Sequence, residues 1–269
     1  MTLGCFAMKS NKPFFTIIVT SYNQLDLLKK TLESVFKQTF NDFELIIADD
    51  SSTDGTVEFL KTLNDKRIKL QLNPSNLGIP LNRNMALSNS IGKFVSILDG
   101  DDTFNKNYLK ESFDIINERK PDILISNISL IDEKGNIIIN KKLKKNFDPV
   151  KYVHRAGFGL MRGCFFKKDL IDQFGALNTK FWNFDGYEIL LRWSFLNLKW
   201  HYNPKPMVNY RVLKTSFSKK MKLKTLKNEI FGIWDLYNVK LKDSISHLSI
   251  LRYWKLLKFK ILIKIFLSR

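Results

Sequence analysis

Three carboxylates stand close together in one short stretch of the sequence. Asp99, Asp101 and Asp102 occupy three of four consecutive positions, directly after the mostly apolar run Phe-Val-Ser-Ile-Leu, which predicts a buried strand. Like charges at this spacing repel one another unless a cation neutralises them. The stretch therefore predicts a site for Mg²⁺ or Mn²⁺, which bind carboxylate oxygens and bridge them to substrate phosphates. An acidic turn that also caps a helix beginning near Asn105 would explain the same residues.

Strands that alternate with helices would position these acids. Apolar runs at residues 14–20, 43–48, 68–72 and 94–98 predict strands, and apolar residues at helical spacing predict helices between them, the third over residues 83–90. This alternation predicts a parallel sheet with right-handed crossovers. Ligands bind such sheets beyond the carboxyl ends of the strands.

Polar residues follow each of the four predicted strands. Turn chemistry could explain each cluster alone, but four clusters at one edge of a sheet indicate a binding site. They comprise Ser21, Tyr22 and Asn23 after the first strand, Asp49 and Asp50 after the second, Asn76 and Gly78 after the third, and the three acids after the fourth.

Composition and charge limit the class of protein that this chain can be. The chain has 269 residues, of which 44% are hydrophobic, and this is a globular composition. A net charge of +18 favours an anionic partner. We expect no nucleic-acid partner, because no nucleic-acid motif is present and most of the charge lies near the C-terminus. The two cysteines form neither a metal spacing nor a disulfide framework, which fits a reducing compartment.

The C-terminal segment, residues 219–269, is basic and rich in aromatic residues. It carries 13 Lys or Arg against 3 Asp or Glu, so it supplies 13 − 3 = +10 of the net charge. Such a segment predicts a helix on an anionic membrane surface, or a helix that packs on the rest of the chain or on a partner subunit. With no secretory signal and no long apolar run, we expect a cytoplasmic protein that is peripheral on the inner face of the plasma membrane.

Four motifs together resemble the successive signatures of family 2 glycosyltransferases. They are Thr-Ile-Ile-Val-Thr-Ser-Tyr-Asn at 16–23, Ala-Asp-Asp-Ser-Ser-Thr-Asp-Gly-Thr at 48–56, Asn-Leu-Gly at 76–78 with Arg-Asn at 83–84, and Leu-Asp-Gly-Asp-Asp at 98–102. The resemblance implies a GT-A fold, an α/β architecture with a Rossmann-like, mostly parallel sheet flanked by helices. It also implies a nucleotide diphosphate-sugar donor, most simply a UDP-sugar, a divalent metal and transfer with inversion. A glycan or lipid-linked acceptor in bacterial cell-surface polysaccharide synthesis is the expected partner.

The resemblance also implies roles for the polar residues at the edge of the sheet. Asp50 would accept hydrogen bonds from uracil or ribose, or would cap the next helix; Arg83 would neutralise a phosphate oxygen, or would be a solvated cation. Asp101 is the expected metal ligand, with Asp102 supporting it or only shaping the turn. The donor residues are Thr20, Ser21, Tyr22, Asn23, Asp50, Asn76, Gly78, Arg83 and Asp99, and the metal residues are Asp99, Asp101 and Asp102.

A second acidic segment, Phe-Asp-Gly-Tyr-Glu-Ile-Leu-Leu-Arg at 184–192, resembles the acidic helix start of the same family. An inverting transfer needs a carboxylate that takes the proton of the acceptor hydroxyl. The second acid of the family's pair falls on Gly186, so Asp185 is the first candidate for the base and Glu188 the second. Both could instead be acids that complement a helix dipole. The alternative prediction is that the base is lost at Gly186, so that the chain binds a nucleotide-sugar without turnover.

These expectations divide the chain into two parts. Residues 1–218 would form the catalytic domain, with a nucleotide-sugar half at about 14–105 and an acceptor half at about 106–218. Residues 219–269 would form the basic extension. The family's closing segment often places a histidine where this chain has Leu213, which neither ligates a metal nor binds a phosphate.

Overall fold

The computed structural model describes residues 12–140, 147–154, 159–213 and 223–237 of the 269-residue chain. Its first half alternates strands and helices, as predicted. The third helix begins at Ile79, four residues before the predicted start, because Pro80 fits the first turn of a helix, where no backbone donor is needed. The elements are β1 (Phe15–Ser21), α1 (Leu25–Phe36), β2 (Phe43–Asp49), α2 (Thr56–Lys61), β3 (Ile68–Leu72), α3 (Ile79–Ser88) and β4 (Phe94–Asp99).

The second half is less regular. Its elements are β5 (Thr103–Phe104), α4 (Tyr108–Arg119), β6 (Ile123–Ile131), β7 (Ile137–Asn140), α5 (Pro149–His154), a 3₁₀ turn (Leu160–Gly163), β8 (Cys164–Lys167), α6 (Asp169–Phe174), α7 (Asp185–Ser194), β9 (Trp200–Arg211) and α8 (Leu223–Leu236). Strand β9 runs unbroken over twelve residues, and its pairing with β6 shifts register around Asn127. Pro204 and Pro206 lie at this shift, because proline cannot donate to the ladder.

All nine strands of the described residues form one sheet, in the order β3-β2-β1-β4-β8-β6-β9-β5, with β7 paired to β6. The long pairings of β1 with β2 and β4, of β2 with β3, and of β6 with β9 are parallel. The pairings of β8, β5 and β7 are short and antiparallel. The prediction of a mostly parallel sheet flanked by helices is therefore confirmed.

Helices cover both faces of the sheet, which explains the unbroken apolar runs of its central strands. In β1, Ile17 and Val19 belong to the buried cluster that includes Leu28 and Leu32 of α1. Ile18, between them, points to the other face and belongs to the cluster formed with α3 and α7. Because both faces are buried, successive residues of the strand are all apolar.

Helix α8 packs on the rest of the fold, although it lies within the segment predicted as an extension. Ile230 and Ile233 are buried in the same cluster as residues of α7. The hydroxyl of Tyr237 donates a short hydrogen bond to Glu188 of α7. Residues 238–269, the rest of that segment, lie outside the described residues. None of the described helices is long and apolar enough to cross a bilayer.

We predict that Ile233→Ala lowers the free energy of unfolding by roughly 2–5 kcal/mol, because the side chain is fully buried and its loss leaves a cavity. Leu236→Ala, on the same helix but 54% exposed, is the matched control and should change it by less than about 0.5 kcal/mol. Urea unfolding followed by circular dichroism measures both. Equal effects would mean that α8 does not belong to the folded domain.

Candidate functional site

The ends of the parallel strands bring the predicted polar clusters to one edge of the sheet. Ser21 at the end of β1 pairs with Asp49 at the end of β2, and Thr20 pairs with Asp99 at the end of β4. The backbone N–H of Asp50 donates to Ser21 at 2.9 Å. Four loops that are distant in sequence therefore meet at the carboxyl edge, where ligands of parallel sheets bind.

The acidic cluster consists of Asp99, Asp101 and Asp102, each with a carboxylate oxygen within 4.8 Å of the others. The turn between them needs a glycine. Gly100 donates its N–H to the carbonyl of Thr20 at 2.9 Å, and a Cβ at this position would lie only 2.7 Å from the same oxygen. The close approach of two backbones thus holds the three acids at the end of β4.

The charges around the cluster shift its pKa values in opposite directions. Burial disfavours ionisation of Asp99, but the positive charges of Arg83 and Arg162 outweigh this effect and lower its pKa. Burial and the negative charge of Asp99 raise the pKa of Asp101 to about 6. Burial and the charge of Asp101 raise the pKa of Asp102 well above its ordinary value. Negative charge is therefore in excess at this point.

One oxygen of Asp102 has no hydrogen-bond donor. Its Oδ1 accepts the backbone N–H of Arg211 at 2.8 Å, whereas its Oδ2 is buried, receives no hydrogen bond and has only Nε of Arg162 nearby, at 3.7 Å. An unsatisfied buried carboxylate oxygen is costly, and a cation that binds it would remove the cost. Oxygen-only ligands, excess negative charge and an unsatisfied oxygen together fit a hard divalent ion, so these three residues could hold Mg²⁺ or Mn²⁺.

Arg83 links this cluster to the second acidic segment. Its Nη1 donates to Oδ2 of Asp185 at 2.7 Å, and its Nη2 makes a short ion pair with Asp99. Burial disfavours the charge on this guanidinium, but the two carboxylates outweigh burial and raise its pKa further. The phosphate contact predicted for Arg83 stays a prediction, because in the structure its partners are carboxylates.

Asp185 and Glu188 lie in different surroundings, although both belong to the first turn of α7. Asp185 is next to the acidic cluster through Arg83, and its Oδ1 accepts the N–H of Gly186 at 2.7 Å. Glu188 is fully buried and binds Arg192 through both oxygens at 3.2 Å, besides the short bond from Tyr237. Only Asp185 is therefore joined to the predicted metal site.

Gly186 has no room for a side chain. A Cβ at this position would lie 2.9 Å from Cβ and 3.0 Å from Cγ of Met161. Met161, from the 3₁₀ turn, thus occupies the space where the family pattern has an acid. The departure from the pattern that is visible in the sequence is built into the packing of the helix start.

Asp50 organises the loop after β3. It is almost fully buried, and it accepts hydrogen bonds from the side chain of Asn73 and from the backbone N–H groups of Leu77 and Gly78, at 2.8–2.9 Å. It does not cap α2, since Asp54 accepts the hydrogen bond from the N–H of Thr56 there. The alternative prediction of a cap is therefore wrong, and the predicted contact with a base or ribose is untested.

The other residues predicted to bind the nucleotide-sugar lie at the end of β1, in the loop that follows it and in the loop after β3. Tyr22 is 50% exposed, so its ring is free to meet a planar ligand. Asn23 has a positive φ of 48° and accepts the N–H of Thr53 at 2.7 Å, which ties the first loop to the second. Thr20 hydrogen-bonds Asp99, Ser21 is buried and Asn76 is exposed.

Sequence reasoning missed Arg162. Its guanidinium carbon lies 4.2 Å from the centre of the Tyr210 ring, and its Nε is 3.7 Å from Asp102 and 3.9 Å from Asp99. That Nε is buried and has no hydrogen-bond acceptor. A single arginine beside glycines gives no local signal, and only the fold brings it to the acids.

We predict that Asp101→Asn stabilises the metal-free protein at pH 7.5 by about 1 kcal/mol or more. The pKa of Asp101 is about 6 in the folded protein and 3.8 ordinarily, so stability present at low pH is lost as the pH rises through this interval. Asparagine does not ionise, so the variant keeps its stability over this pH interval. Mn²⁺ should raise the Tm of the wild type above pH 6 and leave the variant nearly unchanged.

Thermal unfolding from pH 4 to pH 8, with and without Mn²⁺, measures these effects. Asp114→Asn is the control, because Asp114 is an exposed acid paired only with Lys110 on α4. A variant that is less stable than the wild type at pH 7.5 without metal would contradict the assignment.

The sequence also matches the model of a known protein family. The model for "Glycosyl transferase family 2" matches residues 16–168, more than half of the chain. A putative teichuronic acid biosynthesis glycosyltransferase, TuaG of Bacillus subtilis, is 35% identical over 130 residues, which are 48% of this chain and 52% of that protein. An uncharacterized glycosyltransferase of Methanocaldococcus jannaschii is 34% identical over 165 residues, 60% of this chain and 53% of that one. The chain thus matches about half the length of these relatives.

Solved structures share the fold. Staphylococcus aureus TarS 1–349 in complex with UDP-GlcNAc matches with a TM-score of 0.70 at 21% identity, over 86% of this chain and 68% of that one. The mannosyltransferase PcManGT of Pyrobaculum calidifontis, in complex with GDP-Man and Mn²⁺, matches with a TM-score of 0.61 at 18% identity, over 78% of this chain and 60% of that one. The expected GT-A fold is confirmed, and the chain belongs to glycosyltransferase family 2.

Proposed function

We propose that this chain transfers a sugar from a nucleoside diphosphate-sugar, with a UDP-sugar as the first candidate, to a glycan or lipid-linked acceptor with inversion. We place the reaction in the synthesis of a bacterial surface polysaccharide. The observation that carries the proposal is the ion-pair bridge of Arg83, which joins the acidic cluster at the end of β4 to Asp185 at the start of α7. The bridge would bring the carboxylate of Asp185 beside a diphosphate bound with a metal at the acidic cluster.

The names of relatives support the choice of substrates. TarS was solved with UDP-GlcNAc and with UDP, and PcManGT with GDP-Man and Mn²⁺. WfgD of Escherichia coli, 30% identical over 149 residues, is named as a UDP-Glc:alpha-D-GlcNAc-diphosphoundecaprenol beta-1,3-glucosyltransferase. A nucleoside diphosphate-sugar and a lipid-linked acceptor are therefore the first compounds to test.

Positive charge near the acidic cluster would hold the diphosphate. Asp99, Asp101 and Asp102 would bind the divalent ion, which supplies charge that stabilises the departing diphosphate. Arg162 lies beside the same acids with an unfilled donor, and we assign it to a phosphate oxygen. Its stacking on Tyr210 fixes the plane of the guanidinium for that contact.

Asp185 is the proposed base. Its carboxylate takes the proton of the acceptor hydroxyl while the hydroxyl oxygen forms a bond to the anomeric carbon of the donor. The bond from that carbon to the diphosphate oxygen breaks, and its electron pair leaves with the diphosphate. Attack opposite the leaving group inverts the anomeric carbon. Asp185 and Glu188 each accept hydrogen bonds at both oxygens, but only Asp185 is linked to the acidic cluster, through Arg83. Glu188, which binds Arg192 and Tyr237 instead, is assigned a structural role.

The second candidate is nucleotide-sugar binding without turnover. The observation that favours it is the contact of Gly186 with Met161, which leaves no space for the family's acid. The two candidates differ in whether Asp185 can take over the role of the missing acid. Family membership favours the enzyme, and a direct measurement of turnover separates the two.

We predict that Asp185→Asn lowers transfer or donor hydrolysis at least about 100-fold, while the affinity for UDP with Mn²⁺ stays within about threefold of the wild type. The expected reason is that the variant keeps the site of the diphosphate but loses the proton acceptor. Radiolabelled UDP-sugars measure turnover, and calorimetry measures binding.

Asp169→Asn is the matched control, because Asp169 is an exposed acid in the first turn of α6. It should leave both quantities unchanged, whereas Asp101→Ala should abolish both. Tight binding of UDP without turnover for any donor and acceptor, in the wild type as well, would favour the second candidate.

The proposed membrane contact involves residues 238–269, which carry 8 Lys or Arg against 1 Asp or Glu. We predict that a chain ending at Tyr237 loses binding to phosphatidylglycerol vesicles, while the full chain binds them less strongly as salt is raised. The cut preserves α8 and its contact with Glu188, so the Tm should change little. Vesicle flotation measures binding, and equal binding by both chains would contradict the membrane proposal.

A further inference from the structure

Trp182 is an exposed aromatic residue in a loop whose neighbours are buried. Its side chain is 45% exposed, whereas Phe181 and Phe184 belong to the core. A single exposed apolar residue is common on protein surfaces and by itself indicates nothing. What distinguishes Trp182 is that both sides of its loop are fixed and that it lies next to the proposed active site.

The indole rests on the loop after β3. A Cβ added to Gly78 would lie 2.5–2.9 Å from three atoms of the six-membered ring of Trp182, so the ring contacts the glycine backbone directly. Gly78 has a φ of 84°, which favours glycine, and its N–H is held by Asp50 at 2.8 Å. The surface under the indole is therefore fixed by a buried carboxylate.

The other side of the loop is fixed by α8. Glu229 accepts two hydrogen bonds from Asn183, one from the backbone N–H at 3.0 Å and one from the side-chain amide at 2.6 Å. Asn183 directly follows Trp182, so the backbone that carries the indole is anchored. The exposed surface of the ring is thus positioned in advance, and little conformational entropy would be lost when a ligand covers it.

The position of Trp182 relates it to both proposed substrates. Its ring lies on the loop predicted to approach the donor, and it precedes Asp185, the proposed base, by three residues. Helix α3 begins directly after Gly78, and Arg83, one turn into this helix, binds Asp185 at 2.7 Å. The exposed indole therefore lies where the donor loop and the start of α7 come together.

We propose that the exposed surface of Trp182 binds a pyranose ring. Sugar rings present C–H groups on their faces, and a fixed aromatic ring offers a large apolar surface against which such a face packs. The inference rests on the proposed function, because that function brings two sugars, one from the donor and one from the acceptor, to this edge of the sheet. Either sugar would provide the same chemistry.

Two binding measurements distinguish the two sugars, both made on the full chain with Mn²⁺. Calorimetry compares UDP-GlcNAc with UDP, so that the difference reports the donor sugar. Saturation-transfer NMR in the presence of UDP detects methyl glycosides of glucose, N-acetylglucosamine, galactose and mannose as probes of the acceptor subsite. The variants are Trp182→Ala and Trp182→Phe, the second of which keeps an aromatic ring.

Phe195→Ala is the matched control. Phe195 is 52% exposed and caps the far end of α7, about 15 Å from Asp185 for a helix of this length. It should change neither measurement. Thermal unfolding of each variant verifies that the fold is intact.

If Trp182 contacts the donor sugar, we expect Trp182→Ala to weaken the binding of UDP-GlcNAc at least fivefold and to leave the binding of UDP unchanged. If Trp182 contacts the acceptor sugar, we expect Trp182→Ala to abolish the saturation-transfer signals of the glycosides and to leave the binding of UDP and UDP-GlcNAc unchanged. Trp182→Phe should retain most of either interaction.

Unchanged sugar binding in Trp182→Ala, with normal UDP binding, overturns the inference and leaves the proposed function intact. An equal loss of UDP and UDP-GlcNAc with glycosides unaffected identifies a structural role and also overturns it. A wild-type chain that binds no nucleotide and no sugar contradicts the proposed function as well.

Discussion

The ion pairs of Arg83 are the interaction on which the site depends. One guanidinium, only 12% exposed, binds a carboxylate at the end of β4 and another at the start of α7, although Arg83 and Asp185 are 102 positions apart in sequence. Removing one partner of a buried charge pair leaves the other charge uncompensated, which is strongly destabilising. The two halves of the fold are therefore held in one arrangement by the same charge that orients the proposed base relative to the acids.

The acids that Arg83 does not neutralise remain a source of instability. The charge of Asp99 raises the cost of ionising Asp101, the charge of Asp101 raises the cost of ionising Asp102, and one oxygen of Asp102 has no hydrogen-bond donor. Active sites commonly retain such unfavourable charge because a bound ligand relieves it. The sheet tolerates the cluster because both faces of its central strands are buried in apolar side chains, which supply most of the stability.

Much of the first half was predictable because its signals are local. Apolar runs bounded by polar turns identified β1 to β4, and the convergence of parallel strand ends predicted that their polar residues would meet. The start of α3 was missed because Pro80, a residue that usually interrupts helices, fits the first turn of this one. Arg162, Trp182 and the hydrogen bonds of Asp50 depend on contacts between distant segments, for which a single sequence carries no signal. The docking of α8 was obscured by the positive charge of the segment around it.

The contact between Gly186 and Met161 has an evolutionary consequence. Because a Cβ at position 186 would meet both Cβ and Cγ of Met161, an acid could be introduced there only together with glycine at position 161, or after a shift of the 3₁₀ turn. The two positions are thus epistatic, and each single substitution would produce an overfilled or an underfilled intermediate. The family's acid therefore cannot be introduced at position 186 by one substitution within the present packing.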